Sequence, residues 1–175
     1  MKICILSDLH NNLRHLDLVA QDLKDKNIEL MIYCGDFDAP FALRGFLQFK
    51  CPIKAVLGNA DPDITKYLWI LDNVPVLKDL DIKINPRMMD IDIASRRIAI
   101  FHGDDEHLVL ALIESQLYDL LCIGHNHIPK IKKDRRTLIV NPGSLVGWMY
   151  EKGGKVDITY AVYDTNDNTA KIYSI

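Results

Sequence analysis

The sequence predicts an α/β protein in which two mixed β-sheets pack against each other with helices outside. Three observations lead there. The first half alternates short apolar runs with segments of helical spacing, as parallel βαβ units do. The second half alternates apolar and polar residues between turn signals, as hairpins do. The chain has 175 residues, 49 % of them hydrophobic, enough to bury one sizeable core, so a single domain over residues 1–175 is expected.

The elements run in order along the chain. KICIL (2–6) reads as a buried strand. Residues 12–25 place Leu13, Leu16, Val19, Ala20 and Leu23 at helical spacing. ELMIYC (29–34) is a second strand, PFALRGFLQF (40–49) a short helix and IKAVL (53–57) a third strand. A stretch rich in Asp, Pro and Trp runs from Asp61 to Val74, with a short helix after Pro62. VPVLKDLDIKI (74–84) and RMMDIDIASRRIAIF (87–101) alternate as strands, the second turning at Ala94-Ser95-Arg96. A helix over Glu106–Gln116 precedes the strand DLLCI (119–123). KIKKD, RTLIV, VDITYAVYD and TAKIYSI complete a strand-rich C-terminal part, with turns at Asp134-Arg135 and Asn166-Asp167-Asn168.

Composition excludes several function classes. A net charge of −3 and a pI near 6.0 give no basic field to hold a polyanion, so strong nonspecific nucleic-acid binding is not expected. The apolar run Ile3–Leu6 is too short for a signal peptide, and no run is long enough to span a membrane. Cys4, Cys34, Cys51 and Cys122 show no CxxC spacing, and three of them lie inside apolar runs. Free buried thiols fit a reducing compartment, which reads as cytoplasmic. The basic run KIKKDRR (130–136) reads as a solvated edge strand. Trp69, Trp148 and Tyr150 belong either in the core or in an apolar groove.

The chemistry lies at the strand ends. KICIL is followed by Asp8 and His10, ELMIYC by Asp36, IKAVL by Asn59 and Asp61, RRIAIF by His102, and DLLCI by His125 and His127. Singly, each of these reads as a turn or cap residue. Five apolar runs ending this way place them together, because the carboxyl ends of parallel strands line one edge of a sheet. His15 and His107 stand apart, as helix-surface residues. Three carboxylate or amide oxygens and four imidazoles make a mixed set suited to manganese, iron or zinc rather than calcium. Seven donors are too many for one ion, and fit two ions about 3.5–4 Å apart that share a carboxylate.

The ordered set Asp8-Leu9-His10, Gly35-Asp36, Gly58-Asn59-Ala60-Asp61, His102-Gly103 and Gly124-His125-Asn126-His127 resembles the calcineurin-like metallophosphoesterase superfamily. The later Asn141-Pro142-Gly143-Ser144 belongs to the same resemblance, and the short length is similar to its compact prokaryotic phosphodiesterase branch, to which a retromer scaffold subunit is also related. The resemblance implies a four-layer α/β/β/α sandwich. It implies two divalent ions, manganese first, with nickel, iron, zinc or magnesium as alternatives. Asp8, His10 and His127 would hold one, Asn59, His102 and His125 the other, and Asp36 would bridge them. The implied reaction is phosphodiester hydrolysis by in-line attack of a metal-bridging hydroxide on a small phosphodiester or nucleotide-type substrate. Candidate catalytic residues are Asp36, Asn59, His102 and Asp61, and candidate substrate contacts are Asn12 and Asn59. Asp61 is expected to orient a ligand or the local turn rather than hold metal.

Two departures bear on this. Larger superfamily members carry a histidine where this chain has Ala60, so the leaving oxygen lacks an obvious general acid and good leaving groups should be preferred. Asn11 stands where the family commonly has Gly, and tolerates the same left-handed backbone. The rival readings are a metal-binding scaffold and a phosphate- or nucleotide-sensing module. A complete donor set favours the enzyme. The C-terminal strands offer an edge for a homodimer.

Overall fold

The computed structural model describes residues 1–149 and 153–175. Tyr150 lies outside the described residues.

Four parallel strands, β1 (Lys2–Leu6), β2 (Leu30–Tyr33), β3 (Ile53–Val56) and β4 (Ile82–Asn85), form one side of a six-stranded sheet. β5 (Met88–Ile93), β6 (Arg96–Phe101), β7 (Leu120–Cys122), β8 (Lys130–Asp134) and β9 (Thr137–Asn141) form a second sheet in the order β5-β6-β7-β9-β8. Within it β6, β7 and β9 run parallel, with β5 and β8 antiparallel at the edges. A small ribbon pairs β10 (Trp148–Met149) with β11 (Gly154–Lys155). β12 (Thr159–Asp164) then pairs antiparallel with β1, and β13 (Thr169–Ser174) closes the first sheet's edge.

Strand alternation divides the core into layers. On β1, Ile3 and Ile5 face the second sheet, while Cys4 and Leu6 face the helices α1 (Leu13–Asp22) and α2 (Ile64–Asn73). On β6, Ile98 and Ile100 face the first sheet, while Ala99 and Phe101 pack under α3 (Glu106–Ser115). The result is the expected α/β/β/α sandwich. The central strands β1, β2, β7 and β9 are buried on both faces, which is why they read as nearly continuous apolar runs.

Local chemistry sets the element ends. The Asn12 side chain caps α1 by accepting from His15 N, Asp63 caps α2 by accepting from Thr65 N, and Asp105 caps α3 by accepting from Leu108 N. The β5–β6 hairpin turns on Ala94 and Ser95 alone, both left-handed, so Arg96 is already in the strand, paired with Ile93.

Several expectations are corrected. Pro40–Gln48 is a 3₁₀ helix, opened by a proline and without a side-chain cap. Residues 74–81 are not strand: Pro75–Leu77 makes a 3₁₀ turn, because Pro75 cannot join a ladder, and β4 starts only at Ile82. Trp69 and Trp148 are 63 % and 42 % exposed, so neither is core. The Lys-rich β8 is an exposed edge, as expected. Cys4, Cys34 and Cys122 are buried free thiols, and Cys51 is half-buried. No described helix is long and apolar enough to cross a membrane.

Candidate metal centre

The carboxyl ends of β1, β2 and β3 meet those of β6, β7 and β9 where the two sheets face each other, and all seven candidate donors lie on the loops there. Asp8, Asp36 and His102 are buried, His10 and His127 half-buried, and Asn59 and His125 exposed. The centre is thus built inward from the fold and open to solvent at one rim.

The backbone aims these residues. Asp8, His10, Asp36, His125 and His127 all take left-handed φ, between 44° and 70°. Such angles are uncommon outside glycine, and cluster where surrounding structure enforces them. The enforcing bonds are visible. Asp8 N donates to Gly35 O (3.0 Å), His10 N to Asp36 O (3.1 Å) and Asn11 N to Phe37 O (3.2 Å), zipping the first loop onto the second. Asn11 is itself left-handed, so the turn survives without glycine. Tyr33 Oη accepts from Leu9 N (2.9 Å) and donates to Asp36 O (3.0 Å). Ser144 Oγ donates to Asp8 O (3.0 Å), and Asn141 Nδ2 donates to Gly124 O (2.8 Å). Gly58 and Gly124 are needed for closeness: a Cβ on the first would collide with Asp36 Oδ1, and on the second with Ser7 Oγ.

Asp61 is the anchor of the second and third loops. Its Oδ2 accepts from Gly58 N (2.8 Å) and Asp36 N (2.9 Å), and its Oδ1 from Asp38 N (2.9 Å) and Tyr67 Oη (2.7 Å). With every lone-pair direction used, it orients its neighbours. Burial holds its carboxyl above the usual carboxylate range.

The inner geometry fits a cation. His102 Nδ1–H donates to Cys34 O (2.7 Å), which turns Nε2 toward Asn59 Oδ1 (3.0 Å) and Asp36 Oδ2 (3.4 Å). A neutral imidazole would point its lone pair at two oxygens. A proton or a metal ion relieves that clash. Burial draws the His102 imidazole down, but the Asp36 hydrogen bond and charge outweigh it and push it up to about 9. Burial pushes Asp36 up, and His102 in turn holds it below the usual range. A second group shows the same pattern. His10 Nε2 lies 3.3 Å from His127 Nε2 and 3.7 Å from Asp36 Oδ2. Among the described residues Asp8 Oδ1 is buried with no hydrogen-bond partner, 3.4 Å from His127 Nε2, while Asp8 Oδ2 accepts from His125 N (3.1 Å). Burial lowers His127, and Asp8 more than offsets it, holding the imidazole above its ordinary value. An orphaned buried carboxylate oxygen beside converging imidazole lone pairs is the signature of a cation site.

Two three-residue groups bring donor atoms within 4.8 Å of one another: Asp8, His10 and His127, and Asp8, Asp36 and His102. Asp36 Oδ2 faces one imidazole of each expected metal position, His10 and His102. Asn59 joins beside His102, and the His125 ring packs against the His102 ring with centroids 5.2 Å apart. Ala60 contributes only its backbone, donating to Asp36 Oδ1 (2.9 Å). Asn12 is engaged through Oδ1 as a helix cap.

Sequence reasoning missed three participants. Asp38 accepts from His10 Nδ1 (2.8 Å), and its only signal was its place two residues after Asp36. Tyr33, which fastens two loops, reads as an ordinary core residue. His15 is not a plain surface histidine, since its Nδ1–H donates to Leu145 O (2.7 Å) and ties α1 to the segment after Ser144.

The fold and the donor set together define a protein of the metallophosphoesterase class. The chain belongs to the calcineurin-like phosphoesterase superfamily, whose domain model matches residues 1–168. It is 30 % identical over 149 residues to the phosphodiesterase MJ0936 of Methanocaldococcus jannaschii, covering 85 % of this chain and 87 % of that one. A solved structure described as a novel archaeal phosphodiesterase superposes with a TM-score of 0.86 at 27 % identity over the whole of both chains. Vps29 of Entamoeba histolytica, solved with zinc, shares the fold with a TM-score of 0.70 at 16 % identity, covering 99 % of this chain and 91 % of that one.

Proposed function

We propose that the chain is a metal-dependent phosphodiesterase whose centre holds two divalent ions. Asp8, His10 and His127 hold the first, Asn59, His102 and His125 the second, and Asp36 serves both. The observation that carries this reading is the set of facing acceptors: Asp8 Oδ1, without a partner among the described residues, and His102 Nε2, aimed at two oxygens. The archaeal relatives named as phosphodiesterases support the diester over the monoester.

Two ions there would lower the pKa of water to near neutrality and balance the charge on phosphate oxygens. The chain supplies the rest. Buried Asp8 and Asp36 fix the floor of the site, and exposed Asn59 and His125 form the rim where a phosphate enters. Asn12 keeps its amide nitrogen free of the capping bond for a phosphate contact. Beside His125 a cleft of about 530 Å³ is walled by Val109, Leu110 and Ile123 and bordered by Asp104 and Glu106. Asp104 is already neutralised by Arg87 (2.7 and 2.8 Å). Apolar walls and acidic borders suit an uncharged organic ester group better than a second phosphate.

The test is hydrolysis of a chromogenic aryl phosphodiester by metal-stripped protein, with manganese, nickel, iron, zinc and magnesium added back in turn and a matched monoester alongside. Metal-dependent turnover of the diester, abolished by Asp36→Ala, is expected. Folded, metal-loaded protein that turns over neither ester would overturn the reading in favour of a scaffold or sensor.

A further inference from the structure

We propose that Asp38 is the positioning residue for His10, fixing the imidazole so that Nε2 faces the centre and thereby tightening the first metal position. The inference rests on the reading of His10 as a ligand. His10 Nδ1–H donates to Asp38 Oδ1 at 2.8 Å. An imidazole with its proton on Nδ1 carries its free lone pair on Nε2, and Nε2 is the atom that meets His127 Nε2 and Asp36 Oδ2. Rotating the ring or moving the proton would break that arrangement.

Asp38 is not an incidental surface acid. Its backbone is left-handed (φ 71°), and its N–H donates to Asp61 Oδ1 at 2.9 Å. The third loop thus holds Asp38, and Asp38 holds the histidine of the first loop. Among the described residues it pairs with His10 and with no lysine or arginine. The other buried or half-buried imidazoles of the centre direct Nδ1 at neutral backbone carbonyls: His102 at Cys34 O (2.7 Å) and His127 at Trp148 O (3.5 Å). Among the described residues His10 is the one of these three with a carboxylate behind it. A carboxylate acceptor makes the opposite nitrogen a stronger donor to a metal than a carbonyl does. The first metal position would therefore depend on a side chain outside the donor set, and the second would not.

The test uses Asp38→Gly and Asp38→Asn. Glycine removes the carboxylate without straining the left-handed backbone, and asparagine keeps an accepting oxygen and also tolerates that backbone. Metal-free protein is titrated with Mn²⁺ by calorimetry, and the His10 tautomer is read by long-range ¹H–¹⁵N NMR. Asp38→Gly should weaken one of two binding events by about 10–100-fold and leave the other within about threefold, with Asp38→Asn lying between it and wild type. His10 should carry its neutral-form proton on Nδ1 in wild type, and lose that preference in Asp38→Gly. If wild type binds ions and Asp38→Gly binds both as wild type does, the positioning role is overturned while the ligand reading stands. Equal weakening of both events in both variants, with the tautomer unchanged, marks Asp38 as structural only. If wild type takes up no ion, the ligand reading falls and this proposal with it.

Discussion

Asp61→Ala should destabilise the metal-free protein by about 2–4 kcal/mol, although Asp61 is no metal donor in this scheme. The figure comes from the bonds the carboxylate holds. Four donors converge on it, from Gly58 N, Asp36 N, Asp38 N and Tyr67 Oη. Removing it leaves those of Asp36 and Tyr67 stranded, since these residues are 3 % and 0 % exposed. Each stranded buried group costs about 1–3 kcal/mol. Gly58 and Asp38 are half-exposed and can turn to water. Burial and the neighbouring Asp36 charge disfavour the carboxylate itself, so its removal returns part of this and holds the sum to the lower half of that range. Urea unfolding of metal-free wild type, Asp61→Ala and Tyr67→Phe measures the sum and one part, the latter near 1 kcal/mol. An Asp61→Ala midpoint within about 1 kcal/mol of wild type would show that the loops hold themselves and refute the anchoring argument.

Two further outcomes are expected. The folded His102 imidazole stands near 9 against an ordinary 6.5, so its stabilising contribution is full below pH 6.5 and lost as pH rises through 9. The urea midpoint of the metal-free protein should fall across that window, and a midpoint flat between those values would contradict the pairing of His102 with Asp36. Ala60→His, at an exposed position whose backbone bond to Asp36 is retained, should raise turnover of diesters with poor leaving groups by roughly 10²-fold and leave 4-nitrophenyl esters little changed. Equal gains across a leaving-group series would assign the added imidazole a role other than proton donation.

The candidate donors stood out in the sequence because each stands just behind an apolar run. Buried parallel strands announce themselves by composition, and the residues just past their carboxyl ends must lie at one edge. Helix α1 was legible from spacing. Residues 74–81 were misread because alternating apolar residues also suit a 3₁₀ turn that tucks Leu77 into the core, and Pro75 should have argued against a strand. The supporting contacts were not legible, because they join loops far apart in the chain. Asp38 and His10 are 28 residues apart, and His15 and Leu145 are 130 apart. No periodicity or motif encodes such pairs. Exposed Trp69 and Trp148 defeat any rule that sends large aromatic residues inside.

Five of the seven candidate donors sit on left-handed backbone. Away from glycine such a residue costs about 1–2 kcal/mol, somewhat less for Asp and His, so the loops are held against their own preference. Laboratory evolution toward heat resistance would therefore find its easiest gains here, by replacing Asp8, His10, Asp36, His125 or His127 with glycine or asparagine. A selection on thermal endurance alone would erode the centre first and leave the sandwich sturdier than before. A screen for hardier variants of this chain has to monitor ion uptake in every round.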